Sequence, residues 1–289
     1  MIYVSIDENG YGPTLGPLIT TGIAGTSDID NGWPEDIVDS KKLFSSYKKF
    51  ATIEKIALSL FKITFKKFPS TALDLFKQSN DIKCPKEQIC LNNLPQVPMK
   101  TSIDQINSYT EYLYDFLNKQ NITIKSIYSQ ITCVKEFNNL CRKKLRKDYM
   151  NYLQFEKIIL NYCKTFENIV VSAGKIGGRN YYMDFFQKTF SSWKIKKINE
   201  SKDISEYILI KNNSGIVLKF VKNIEDKSFL GVLAGIYGKY IREISMIGIN
   251  RFFGTNRFIS GYRDRYTSEF IKKIQNKNLV YMDCILRVK

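Results

Sequence analysis

Apolar and polar residues alternate from the start of the chain, with Ile2, Val4 and Ile6 set against Tyr3, Ser5 and Asp7. A period of two predicts a strand with one buried face, and Leu18 to Ala24 reads as its hairpin partner. From Ser46 to Phe61 the spacing becomes helical, and Lys62 to Lys67 alternates like a strand again. Residues 102–120 predict a helix, 122–132 a strand, and 134–166 one long or broken helix. Asn168 to Ala173 reads as a short buried strand, followed by a Gly-rich turn and a helix from Tyr181 to Phe190. Strands are then expected near 194–199, 205–211 and 215–221, before a long helix from Ser228 to about Phe253 and another from about Tyr266 to Gln275. This order of elements predicts an α/β layer fold with a helical C-terminal part.

The 289 residues, 44% of them hydrophobic, suffice for a sizeable core. No run of about 18 apolar residues is present, so no membrane partner is expected. All seven prolines precede residue 99, which leaves the rest of the chain free for long regular elements. The proline-marked run from Ser79 to Thr101 reads as an exposed excursion or an insertion boundary. We therefore expect a single domain over 1–289, with an insertion or extra lobe around 70–166 and a basic helical part over 228–289.

His is absent, which excludes Ser-His-Asp, Cys-His and His-ligated metal chemistry. The six cysteines, Cys84, Cys90, Cys133, Cys141, Cys163 and Cys284, form no CxxC pair. Together with an N-terminus lacking a leader pattern, they read as reduced thiols in a cytoplasmic protein. The net charge is +16, yet residues 1–39 hold seven acids and no Lys or Arg. A basic body around a small acidic patch suits a phosphate-polymer binder whose acids hold cations; a coding bias toward Lys would give the same excess.

Two segments carry candidate chemistry. In SIDENGYGPTLGP (residues 5–17) a strand delivers Asp7 and Glu8 to its end and breaks into a Gly-Pro turn. Adjacent carboxylates repel each other, and hard divalent cations such as Mg²⁺ or Mn²⁺ relieve that repulsion. Gly10 and Gly12 would let backbone N–H groups approach a phosphate or sugar, or they are simply turn residues. In VDSKKL (38–43), Asp39 or Ser40 can cap the next helix, with Lys41 and Lys42 beside it.

The pairing of DExGxG with DSKKL resembles the ribonuclease HII family. DENGYGPTLGPL is closest to a longer bacterial subgroup of ribonuclease HII-like proteins. VVSAGKIGGRNYY (171–183), EDKSFLGVLAGIYGKYIREISM (225–246) and NRFFGTNRFISGYRDRY (250–266) resemble further family segments in the right order, whereas 44–166 matches poorly. The resemblance implies a ribonuclease H-like mixed sheet flanked by helices. It also implies a monomeric, Mg²⁺- or Mn²⁺-dependent endonuclease acting on RNA/DNA hybrids or at ribonucleotide–DNA junctions. Carried over, Asp7, Glu8 and Asp226 would be metal ligands and catalytic. Gly10, Tyr11 and Gly12 would meet the ribose, Ser40 and Lys41 would bind substrate, and Tyr262 would pack on a sugar.

One position departs from the pattern: Gly174 stands where the family has a further acid. The chain then either works with three carboxylates or is a catalytically impaired hybrid-binding protein. A third reading, an actin- or sugar-kinase-like phosphotransferase, lacks the second Asp-Gly phosphate loop it would need. The small residues Gly231, Ala234, Gly235 and Gly238 share one helix face and predict close packing on a sheet. Lys239 and Arg242 read as phosphate contacts or a solvated helix end, and CRKKLRK (141–147) as a helix face or a phosphate contact. The +7 region from Lys239 to Lys289 is the candidate second duplex-gripping surface.

Overall fold

The computed structural model describes residues 1–43, 50–77, 89–212, 214–275 and 281–288. Residues 46–49 of the expected helix, 79–88 of the proline-marked run, and Cys84 lie outside the described residues. Alternating residues form β1 (Ile2–Asn9) and its antiparallel partner β2 (Leu18–Gly25). Five more strands follow: β3 (Ile124–Thr132), β4 (Asn168–Gly174), β5 (Lys194–Glu200), β6 (Ile204–Lys211) and β7 (Ser214–Val221). They make one mixed sheet in the order β3-β2-β1-β4-β7-β6-β5. The parallel pairs β1–β4 and β4–β7 sit at its centre, and antiparallel pairs flank them.

Helices cover both faces. Short α1 (Ser40–Leu43) leads to α2 (Phe50–Phe65), α3 (Ala72–Lys77), α4 (Ile89–Asn92) and α5 (Ile103–Lys119). The pair α6 (Val134–Arg142) and α7 (Lys147–Thr165) precedes α8 (Met183–Thr189), α9 (Phe229–Phe252), α10 (Arg265–Gln275) and α11 (Met282–Ile285). One core joins α2, α5 and α9 to Ile19 and Ile23 of β2. On the opposite face α7 and α8 pack against Val4, Ile6, Val171 and Leu218. A small third core gathers Leu15, Met246, Ile259, Phe270 and Ile285 at the C-terminal end.

One local expectation is corrected, and one left open between two forms is resolved. Lys62 to Lys67 is no strand but the last turn of α2, where Phe65 packs on Phe61 with ring centroids 4.6 Å apart and Lys66 leaves the helix at φ 55°. The 134–166 helix is broken at residues 143–146, where Lys144 takes φ 57°.

α9 is the central packing element, buried from Phe229 to Asn250. Asp28, one of the N-terminal acids, fixes its start by accepting from the Ser228 hydroxyl at 2.6 Å and the Leu230 N–H at 3.0 Å. Ser228 in turn caps the Gly231 N–H at 2.8 Å. The small-residue face meets the sheet as expected. A Cβ at Gly238 would lie 2.8 Å from Thr21 Oγ1, and one at Gly235 would lie 2.7 Å from Asp7 Oδ2. Because α9 lies this close to the sheet, the far end of β1 is roofed by helix backbone rather than by side chains.

Candidate active site

On β1, the residues Tyr3, Ser5, Asp7 and Asn9 share one face by the strand's period of two, and that face is turned toward α9. Ser5 hydrogen-bonds Ser228 at 2.7 Å, and Asn9 donates to the Gly235 carbonyl at 3.0 Å. Asp7 lies between them against Gly235, and Glu8 follows it on the floor of a cleft of about 690 Å³. Burial, then the nearby Glu225 carboxylate, push Asp7 from 3.8 up to about 7, against lowering by the backbone N–H of Glu8 and by Lys41. Burial, then Asp7, hold Glu8 well above its ordinary value. Two carboxylates kept close in a poorly solvated place each make the other harder to ionise.

The third acid of the floor is Glu225. Asn223 takes a left-handed conformation (φ 52°) after β7 and starts a tight 3-10 turn over Ile224–Asp226. In such a turn successive side chains point about 120° apart. Ile224 enters the core, Glu225 lines the cleft, and Asp226 points away. Asp226, the residue suggested by the resemblance, is half-exposed and pairs with Lys42 at 3.7 Å. The adjacent acids were visible in the sequence, but which of them faces the cleft depends on the phase of this turn.

Of the other sequence-derived candidates, Gly10, Tyr11, Gly12, Ser40, Lys41 and Tyr262 all line the same cleft. Asp39 fixes the start of α1, its Oδ1 accepting the Lys41 N–H at 2.9 Å. Lys41 then reaches Glu225 at 3.4 Å. Burial lowers the Lys41 ammonium, but Glu225, Asp39 and Asp7 outweigh it and leave its pKa above the ordinary value. Gly10 sits at φ 91°, and a Cβ there would lie 2.8 Å from the Pro17 carbonyl and 2.9 Å from Arg242 Nε. No L side chain fits that bend without displacing one of them.

Tyr262 stands at the rim with 42% of its surface exposed. Beneath its ring lie the Arg242 guanidinium at 4.8 Å and the Lys239 ammonium at 5.5 Å. Neither cation is a solvated helix end, because Arg242 is fully buried and Lys239 is 7% exposed. Sequence reasoning did not single out Lys175, Lys202, Lys222, Asn180 or Asn223, which also line the cleft. Lys175 donates to the Ser201 carbonyl at 2.6 Å, Asn180 Oδ1 at 3.0 Å and Ser205 Oγ at 3.0 Å. It thereby ties the β4 exit to the β5–β6 turn. The only sequence signal for these residues is their type.

Gly174 ends β4 beside the acids. A Cβ at that position would lie 3.4 Å from Asp7 Oδ1 and 3.6 Å from Glu8 Oε2, ordinary contact distances. Gly174 is therefore within the site, with room there for a Cβ.

Asp7, Glu8 and Glu225 offer hard oxygen donors, and Mg²⁺ commonly needs only one or two carboxylates with water and phosphate completing its shell. Burial, and then the Glu225 carboxylate, oppose ionisation of Asp7, and a divalent cation on these hard oxygen donors would offset both. Among the described residues, no three His, Cys, Asp or Glu side chains are gathered into a ready coordination sphere. Among them, too, no helix is long and apolar enough to cross a membrane.

No family model matches the chain, and no curated protein matches it. Solved structures do. The Bst ribonuclease HIII in complex with Mn²⁺ is similar at 11% identity and a TM-score of 0.50, over 100% of this chain and 66% of that one. The PCNA:ribonuclease HII complex from Archaeoglobus fulgidus gives 15% identity and a TM-score of 0.48, over 100% and 95%. Ribonuclease H2 from Pyrococcus horikoshii gives 15% and 0.44, over 96% and 90%. What this likeness establishes is the fold, a ribonuclease H-like mixed sheet flanked by helices with further helices at the C-terminal end.

Proposed function

We propose that the protein is a divalent-metal-dependent endoribonuclease that cuts the RNA strand of RNA/DNA hybrids or the strand at a ribonucleotide–DNA junction. The observation that carries this reading is the buried acid cluster of Asp7, Glu8 and Glu225, paired with Lys41 at Glu225, in a cleft whose rim also carries Lys175, Lys202, Lys222 and Lys239. The basic rim draws a phosphate polymer, while the acidic floor repels it unless cations intervene. Asp7, Glu8 and Glu225 would hold such a cation, and when bound it would supply water activation and offset charge on the scissile phosphate. Gly235 leaves room for the Asp7 carboxylate, and Lys41 steadies Glu225. The Gly10–Gly12 backbone faces the sugar, and the Tyr262 ring, set over Arg242, packs on a neighbouring one. The resemblance of DENGYGP and DSKKL to ribonuclease HII supports the same assignment.

A second reading is favoured by Gly174. If the carboxylate missing there is essential, the protein binds hybrids and cuts them poorly.

The test is nicking of a labelled duplex carrying one ribonucleotide, with Mg²⁺ and with Mn²⁺, by the unaltered chain, Asp7→Asn and Gly174→Asp. We expect a metal-dependent nick that Asp7→Asn lowers by about a thousandfold or more, equivalent to about 4 kcal/mol. Cutting by Gly174→Asp alone would establish the second reading. Absence of both cutting and duplex binding would overturn the function.

A further inference from the structure

Next to the acidic cleft, and sharing Gly12 with it, lies a second cavity of about 390 Å³. Its wall includes Thr14, Cys141, Lys147, Arg263 and Arg287 and, among the described residues, no carboxylate. The cations come from three distant parts of the chain, namely the start of α7, the loop before α10 and the segment after α11.

Arg287 is a built-in part of this wall, only 6% exposed. Its Nε donates to the Gly16 carbonyl at 2.9 Å and its Nη1 to the Gly10 carbonyl at 2.5 Å. Its Nη2 is buried with no hydrogen-bond partner among the described residues. Burial, then the charge of Arg242, pull Arg287 down to about 9. Lys147 lies 4.5 Å over the Tyr11 ring, and burial, then Arg287 and Arg263, lower it as well. Three cations thus crowd a cavity that no acid among the described residues lines, and one buried donor is left over. This is the mirror image of the acidic floor, and it asks for an anion with several acceptor oxygens.

We infer that this cavity holds a phosphate group of the nucleic-acid strand that passes over the Gly10–Gly12 turn. The inference rests on the proposed function for the identity of the strand. A nucleic-acid strand carries one charge for roughly every 3.4 Å of helix axis. Gly12 forms part of both walls, so a strand whose sugar meets the Gly10–Gly12 backbone presents a neighbouring phosphate at the cavity mouth. Lys147 and Arg263 then act as positioning residues that fix the strand's register. Arg287 supplies the remaining donor while it holds the turn in shape.

The test uses the full chain and the double variant Lys147→Gln/Arg263→Gln, which spares Arg287 and the turn it supports. Hybrid-duplex affinity is measured by fluorescence anisotropy over a salt series without divalent cation, with thermal melting as a folding control. We expect affinity to fall on the order of tenfold, and the slope of log affinity against log salt to shrink by about two. Lys147→Arg/Arg263→Lys should restore both. Unchanged affinity and slope in the Gln variant, with the unaltered chain binding duplex, would overturn the cavity's role and leave the proposed function standing. If the unaltered chain binds no duplex, the functional reading falls and this assignment falls with it. Calorimetry with inorganic phosphate separates the sources. Binding that the Gln variant loses while duplex affinity is unchanged would make the occupant a free phosphate compound and overturn the strand assignment.

Discussion

Two groups of buried charge lie about two helical turns apart along α9, and they are resolved in opposite ways. Under Tyr262, Lys239 and Arg242 both reach Glu243 at 2.8 Å, and Arg242 also donates to the Ser260 carbonyl at 3.1 Å. Against Gly235, Asp7 faces Glu8 and Glu225, with the largely exposed Lys41 as the cation nearby. The first set finds most of its partners within the chain, with Arg242 Nε and one Glu243 carboxylate oxygen left unpartnered among the described residues, and it holds α9 and the Tyr262 loop in place. The second set crowds three acids around one nearby cation, and burial with mutual repulsion raises the pKa values of Asp7 and Glu8, the condition of a site that awaits a ligand. The same helix therefore supports a closed charge cluster that shapes the molecule and an open one that can act.

The sharpest way to break this contrast is at the 3-10 turn. Glu225→Gln should lower nicking on the order of a thousandfold, while Asp226→Asn, which removes only an exposed pairing with Lys42, should change it less than about threefold. Steady-state nicking rates of the two variants measure the difference, and equal losses would show that the open cluster extends to Asp226.

The closed cluster should respond in stability instead. Glu243→Gln leaves Lys239 and Arg242 without their acid and should cost about 3 kcal/mol in denaturant unfolding. Asp7→Asn, by contrast, should cost little or even stabilise, because it relieves repulsion. If both substitutions destabilise alike, the two clusters are not of different kinds.

The smallest effect is on pH dependence. Without divalent cation, the folded chain keeps a proton on Asp7 between its ordinary 3.8 and about 7, where the unfolded chain has released it. The folded state binds more protons in that window, so this contribution to stability is complete below about pH 4 and is lost as pH rises through about 7. Thermal melting in chelator should therefore decline by a few degrees across that range, and Asp7→Asn should flatten the decline. Added Mg²⁺ should restore stability at the upper end.

Much of the fold was legible because faces are encoded locally. The alternation around Val4 and Ile6 located β1, and the spacing of Gly231, Ala234, Gly235 and Gly238 foretold how closely α9 meets the sheet. Lys62 to Lys67 misled because a stretch this short fits both periods, and the packing of Phe65 on Phe61 decides for the helix. Lys239 and Arg242 read as phosphate contacts or a solvated helix end from their charge, yet Glu243, the Ser260 carbonyl and the Tyr262 ring enclose them. Charge alone does not report burial when the partner comes from another loop.

The sequence by itself determined the seven sheet strands and the longer helices, the adjacent carboxylates at the end of β1, and the glycine turn that follows them. These depend on residue type and on spacings of two to four, which any short segment carries with it. The tertiary structure alone decided that Glu225 rather than Asp226 joins those carboxylates, because that depends on how one tight turn leaves β7. It also decided that Gly174 stands beside Asp7, and that Arg287 reaches back across nearly the whole chain to hold Gly10. Contacts between residues so far apart in sequence have no local period to announce them, and they exist only once the sheet has set its strands side by side.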